Sequence, residues 1–131
     1  MSYALKYSGL FLLLACHTAC AQPGVPVSVG GSIHVDACEA VGQVNGLKSE
    51  GNNLLSVRSG PGESFRVMDK VPNGQLVYVC DHSRNDQWLG VVYGPDEGDC
   101  GVASPIAERR SYAGPCKAGW VNAQWVEIVA G

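Results

Sequence analysis

Short apolar runs alternate with turn-forming residues along most of this chain, and inside the runs apolar and polar positions alternate with a period of two. Leu55 and Val57 alternate with Ser56 and Arg58, the pattern of a strand with one buried face. Ser59-Gly60-Pro61-Gly62 breaks that strand. Proline fixes its own φ and pushes Gly60 away from helix, while Gly62 suits the positive φ at the third position of a type II turn. Comparable runs cover residues 38–47, 65–71, 75–81, 88–93, 118–122 and 125–129. Pro72-Asn73-Gly74 separates two of them and is a hairpin signal. On residues 75–81 the pattern places Leu76, Tyr78 and Cys80 on one face and Val77 and Val79 on the other. No segment beyond residue 36 carries a helical period, so the expected class is all-β, with short strands.

The N-terminal end departs from this rhythm. Lys6, the apolar run of residues 9–15 and the small residues around Ala19-Cys20-Ala21 come in the order of a signal peptide, with cleavage expected after Ala21. Leu13-Leu14-Ala15-Cys16 also fits a lipobox, and lipidation of Cys16 is the alternative. Residues 22–36 then hold prolines and glycines without a burial period and read as a flexible leader, in which Val25, Val27 and Val29 offer at most an edge strand. The expected organisation is therefore signal peptide 1–21, leader 22–36 and one domain over 37–131.

Composition narrows the function. Removing residues 1–21 takes away Lys6 and no acid, so the nine basic residues become eight against twelve acidic ones, a charge of −4. The acids are scattered, and no basic patch is present for a phosphate backbone or an anionic membrane surface, so nucleic acid is not an expected partner. Once its signal is removed, the chain is not expected to be an integral membrane protein.

Between residues 94 and 116 the strand rhythm fails, in a stretch with Cys100 and Cys116 at its sides. Four cysteines remain after residue 21, and an even count in an exported chain points to disulfides. Of the three connectivities, Cys100–Cys116 would close the long segment locally and Cys38–Cys80 would tie the first strand to the hairpin strand. A four-cysteine zinc site would need a close Cys-x-x-Cys pair, which is missing, so no metal is expected.

With the strands placed, residues 40–129 resemble a bacterial SH3-like domain. Leu55-Ser56-Val57-Arg58-Ser59-Gly60-Pro61-Gly62 is similar to the family's signature, apart from serine at 56 where asparagine is common. Phe65, Asn73-Gly74, Trp88-Leu89-Gly90-Val91, Gly119-Trp120-Val121 and Trp125-Val126 follow in the family's order. The resemblance implies a small SH3-like β-barrel of five to seven antiparallel strands. Residues 94–116 would then be an insertion where relatives have a short turn.

The residues of catalytic chemistry fall into no working order. His17 lies in the signal peptide, His34 in the leader and His82 in a hairpin turn, none in a recognisable order with a carboxylate or free cysteine. Gly60-Pro61-Gly62 lacks the lysine and helix of a phosphate loop. No catalytic residue and no cofactor are assigned. What the resemblance implies is a binding module, exported to periplasm or exterior and monomeric, that takes a cell-wall stem peptide or a segment of an envelope protein. Its groove would use Phe65, Tyr78 and Trp88 with Ser59, Glu63 and Ser64 of the loop, since rigid rings give contact area at low entropic cost. Trp120 and Trp125 are read as core, Arg58 as a structural hydrogen-bonder, and Arg109 and Arg110 as a solvated face. The alternative is an inhibitor or assembly factor that binds a protein partner through residues 94–114.

Overall fold

The computed structural model describes residues 9, 22–48, 53–95 and 99–131. The expected cleavage or lipidation region, apart from Gly9, and the acids Asp96 and Glu97 lie outside the described residues. The fold is all-β and antiparallel. In chain order the strands are β1 (Ser28–Val29), β2 (Ala40–Val44), β3 (Leu54–Arg58), β4 (Val67–Pro72), β5 (Leu76–His82), β6 (Trp88–Tyr93), β7 (Arg110–Ser111), β8 (Lys117–Asn122) and β9 (Val126–Ala130). A 3-10 turn, Ala123–Trp125, is capped by the Asn122 side chain and joins β8 to β9. No helix among the described residues is long and apolar enough to cross a membrane.

Seven strands form one sheet in the order β4-β3-β8-β6-β5-β2-β9, and β1 pairs with β7 in a separate two-stranded ribbon. Strands β4 and β5 are consecutive, joined by the tight turn at Asn73-Gly74, yet four strand spacings separate them within the sheet. A flat sheet would hold them about 19 Å apart. Four residues reach no further than about 14 Å, so the sheet must curl to bring β4 back beside the start of β5. Its edges at β4 and β9 stay unpaired with each other.

Curling gives the concave face a core without any second layer. Val44, Leu55, Val57, Val71, Val77, Val91, Tyr93 and Val121 bury together there, Leu55 with Val57 and Val91 with Tyr93 at positions i and i+2 of their strands. Each buried valine contributes about 2 kcal/mol, and β-branched side chains lose little rotamer freedom on a pleated surface. Gly42 permits a close approach of β9. A Cβ there would run into Val126, which explains a glycine inside β2.

The convex face carries a second core, and here the leader expectation is corrected. Val27 and Val29 are buried at 4% and 1% exposure, together with Ala37, Cys38, Val92, Cys100, Val102 and Trp120. Residues 22–29 form a strap. The Val25 N–H donates to the Ser59 carbonyl (2.7 Å), the Tyr112 N–H donates to the Val27 carbonyl (2.8 Å), and the Trp120 Nε1–H donates to the Val25 carbonyl (2.8 Å). The composition of this segment gives no burial period of its own. Two valines two residues apart suffice once a partner surface exists, because the groove and not the segment supplies the missing hydrogen bonds.

Both disulfides occur in the preferred pairing, Cys38–Cys80 and Cys100–Cys116. They fit an oxidising, exported environment. The first ties the strap's far end to β5, and the second closes the long segment between β6 and β8. That segment is folded onto the convex face and not left as a free loop: Cys100 and Val102 are each 1% exposed. The Tyr112 hydroxyl donates to the Cys100 carbonyl (2.8 Å) and accepts from the Cys116 N–H (3.1 Å), so one ring bridges the two ends of the stapled segment.

Candidate functional site

The loop after β3 is shaped from inside. The Arg58 guanidinium donates to the carbonyls of Glu63 and Phe65, 3.0 Å each, which makes it the loop's brace. Phe65 then lies flat against Gly60, where any Cβ would collide with its ring. Glycine is required at 60 for close approach. The expected positive φ at Gly62 is not adopted; the glycines in that region of φ are others, among them Gly74 at +90° in the β4–β5 turn. Since Asn73 keeps a negative φ, only the third residue of that turn is left-handed, as in a type II turn.

The six residues expected to make one groove are distributed over the fold. Phe65 and the Ser59–Ser64 stretch sit beyond β3, whereas Tyr78 is on β5, and β8 and β6 lie between those strands. Ser59 is buried and its carbonyl is taken by the strap. The Ser64 hydroxyl donates to the Gln22 side chain (2.7 Å), so the loop is engaged by the strap's own first residue. Glu63 is exposed. Trp88 stands on the face of β6 opposite Leu89 and Val91, as its alternation implies, but that face is the second core, against which it is half-buried. Trp120 is core, on the convex face under the strap, and Trp125 packs on the concave side.

Tyr78 does open onto a cavity. With Leu76 and Val41 on the convex side of β5 and β2, the β4–β5 turn, and Gly94, Pro95 and Cys100 opposite, it lines an open cleft of about 850 Å³. Leu76 is 52% exposed there, a large apolar side chain left to solvent. The Gln75 side-chain amide donates to the Leu76 carbonyl (3.0 Å) and at 3.4 Å to the Gly94 carbonyl, which links the turn to the far wall. None of the described lining residues carries a charge. Such a surface can hold an extended segment through ring and aliphatic contacts. The sequence signal for this cleft was the Leu76, Tyr78 and Cys80 face of 75–81; its far wall, on the insertion, had none.

The titratable groups behave structurally. The Tyr93 hydroxyl donates to Asp69 Oδ2 (2.8 Å), and Lys117 Nζ lies 3.3 Å from the same oxygen. The Tyr93 bond holds the Asp69 carboxyl below its ordinary range, and burial followed by that carboxylate pushes the Tyr93 phenol well up. Asp81 accepts the Ser28 N–H (3.1 Å) and pairs with Arg109 at 3.1 Å, so Arg109 is a clamp on the strap and not merely a solvated charge. His82 meets Asp86 at 2.9 Å on an exposed turn. The neighbouring Ser83 hydroxyl donates to Asn85 and so is not aimed at the imidazole. Among the described residues no group of three or more histidine, cysteine or acidic side chains could hold a metal ion.

No protein family is matched by the chain, and no characterised protein or solved structure shows significant similarity to it.

Proposed function

We propose that the chain is an exported SH3-like binding module that acts without catalysis and recognises a peptide, of the cell-wall stem or of an envelope protein. The strand order of motifs supports the SH3-like reading, and two disulfides support export. One observation carries the binding: the open cleft, uncharged among its described lining residues, in which Tyr78 and half-exposed Leu76 face Pro95. This site is the Tyr78 part of the groove expected from the sequence, relocated away from Phe65 and Ser59.

Incubation with purified sacculi, followed by sedimentation, tests it. Retention of the wild type and at least a tenfold loss with Tyr78→Ala or Leu76→Asp are expected; a tenfold change corresponds to about 1.4 kcal/mol. Retention unchanged by both substitutions would exclude the cleft. If sacculi retain nothing, the envelope-protein arm is read by capture from envelope extract with the same variants.

A second reading has its own observation. Residues 107–111 are exposed on a segment held rigid by Tyr112 and Cys100–Cys116, a surface suited to a protein partner. Arg110→Glu separates the readings, since it would weaken a partner docked on that segment and leave the cleft intact. Deleting the whole segment would not separate them, because Cys100 and Val102 are core.

A further inference from the structure

Residues 22–29 meet the rest of the molecule as a bound peptide would. Their backbone is held by groups from four places: the Ser59 carbonyl, Asp81 on β5, the Tyr112 amide and the Trp120 indole on β8. Alternate side chains Val27 and Val29 are buried, and Gly90 leaves the space that Val27 fills. This is an extended segment read by main-chain hydrogen bonds and alternate side-chain pockets. Its only covalent link to the groove is through residues 30–37, which run to Cys38, pinned to Cys80 on β5.

That link has two unusual properties. Gly30 and Gly31 both take positive φ, +82° and +109°, and turn the chain sharply. Beyond them Ile33 and Val35 stand out at 66% and 54% exposure. Ser32-Ile33-His34-Val35-Asp36 has the alternation and β-branching of a strand, yet here Ser32 makes an isolated bridge to Ile106 and Ile33, His34 and Val35 form bends outside any named strand. An apolar strand-like stripe lies uncovered at the hinge of a segment that already behaves as a ligand.

We propose that the partner of this stripe is a second copy of the chain, in a strand-exchanged pair. Residues 22–29 leave their own groove, residues 30–37 straighten, and the strap enters the identical groove of the other copy while the second strap returns. Every hydrogen bond and pocket of the strap is kept, because donor and groove are unchanged, and exchange of an identical element is a low-cost route to a dimer. Straightening breaks the hydrogen bonds from the Gly30 N–H to the Ala37 carbonyl, from the Gly31 N–H to the Ile106 carbonyl and from the Ala37 N–H to the Ser104 carbonyl, together with the bridge between Ser32 and Ile106. In their place the two straightened hinges pack together, with Ile33 and Val35 of one copy against those of the other. Extended, residues 30–37 span about 27 Å, enough to reach a neighbouring molecule, and Cys38–Cys80 fixes the pivot. Association costs entropy, so the closed monomer prevails when dilute and the pair grows with concentration.

The test uses the full exported protein with its disulfides intact. Light scattering after separation at millimolar loading is expected to show a dimer fraction that rises with concentration. In the isolated dimer, hydrogen exchange at the Val25 and Tyr112 amides stays as slow as in the monomer, while residues 32–36 slow at least tenfold. Ile33→Asp with Val35→Asp, both on exposed side chains, lowers the dimer fraction at least tenfold and leaves the monomer folded. Deleting Gly30 and Gly31 removes the return path and drives the chain to dimer. A wild type that stays monomeric at millimolar concentration overturns the proposal, as does a dimer without new protection at residues 32–36 or one indifferent to the aspartate pair. Should the deletion variant fail to fold, the wild type and the aspartate pair decide the question alone.

Discussion

Gly90 and Tyr93 lie three positions apart on β6 and face opposite cores. A Cβ at Gly90 would stand 2.7 Å from the Asp81 Cβ and 3.2 Å from Val27 Cγ1, so the strand has no room for one while the strap is docked. Gly90→Ala is expected to destabilise by about 1–3 kcal/mol. The loss should also speed hydrogen exchange at the Val25 and Tyr112 amides, whereas β2 and β3 amides change less. Tyr93 works on the other side, through its bond to Asp69. Asp69 is a carboxylate with a depressed folded pKa, so its contribution is fully present above the unfolded value of about 3.9 and disappears as pH falls through the folded one. Tyr93→Phe should therefore cost about 1 kcal/mol near neutrality, and the difference from wild type should shrink below about pH 4. Urea midpoints measured from pH 7 down to pH 2.5 check both the size and the sign. A gap that widens in acid would mean that the hydroxyl acts through some other partner.

At the level of elements, the two disulfides hold different things. Cys38–Cys80 spans 42 residues of sequence and anchors the end of the strap to β5, while Cys100–Cys116 spans 16 and closes the segment between β6 and β8. In the chain-entropy account these are worth about 4 and about 3 kcal/mol. Replacing Cys38 and Cys80 together by alanine should cost the larger amount. It should also free residues 22–37 to proteolysis, because hydrogen bonds and the burial of Val27 and Val29 are then the strap's hold without a covalent anchor behind it. Removing Cys100 and Cys116 together should cost less in denaturant yet expose Val102 and the Tyr112 ring, which rests on both ends of that staple. Guanidinium unfolding with limited proteolysis separates the two outcomes; equal costs would mean that packing, not loop closure, sets both. The β3–β4 loop is held without any covalent staple. Arg58 reads as part of a motif in the sequence, and in the fold it is a brace for the carbonyls of Glu63 and Phe65.

For the whole molecule, the seven strands of the main sheet were legible from period-two patterning, with ends displaced by no more than a few residues; Leu54–Arg58 and Trp88–Tyr93 coincide with their runs. Alternation also assigned Leu76, Tyr78 and Cys80 to one side of β5; the even cysteine count pointed to disulfides, and closing the long segment locally favoured the pairing found. These features are local: a strand's faces follow from its own pleat, and a turn's residues from their own φ and ψ. What tertiary structure alone decided is which faces were already occupied. Val27 and Val29 have too little neighbouring pattern to declare a burial, so the strap was visible only once Trp120, Ser59 and Asp81 were seen to converge on it. The same docking hides Ser59 and the outer side of β6, leaving Tyr78 of the expected groove open onto a cleft that it shares with Leu76. A surface becomes a site by what does not cover it, and that depends on contacts between residues far apart in the chain, which no local pattern records.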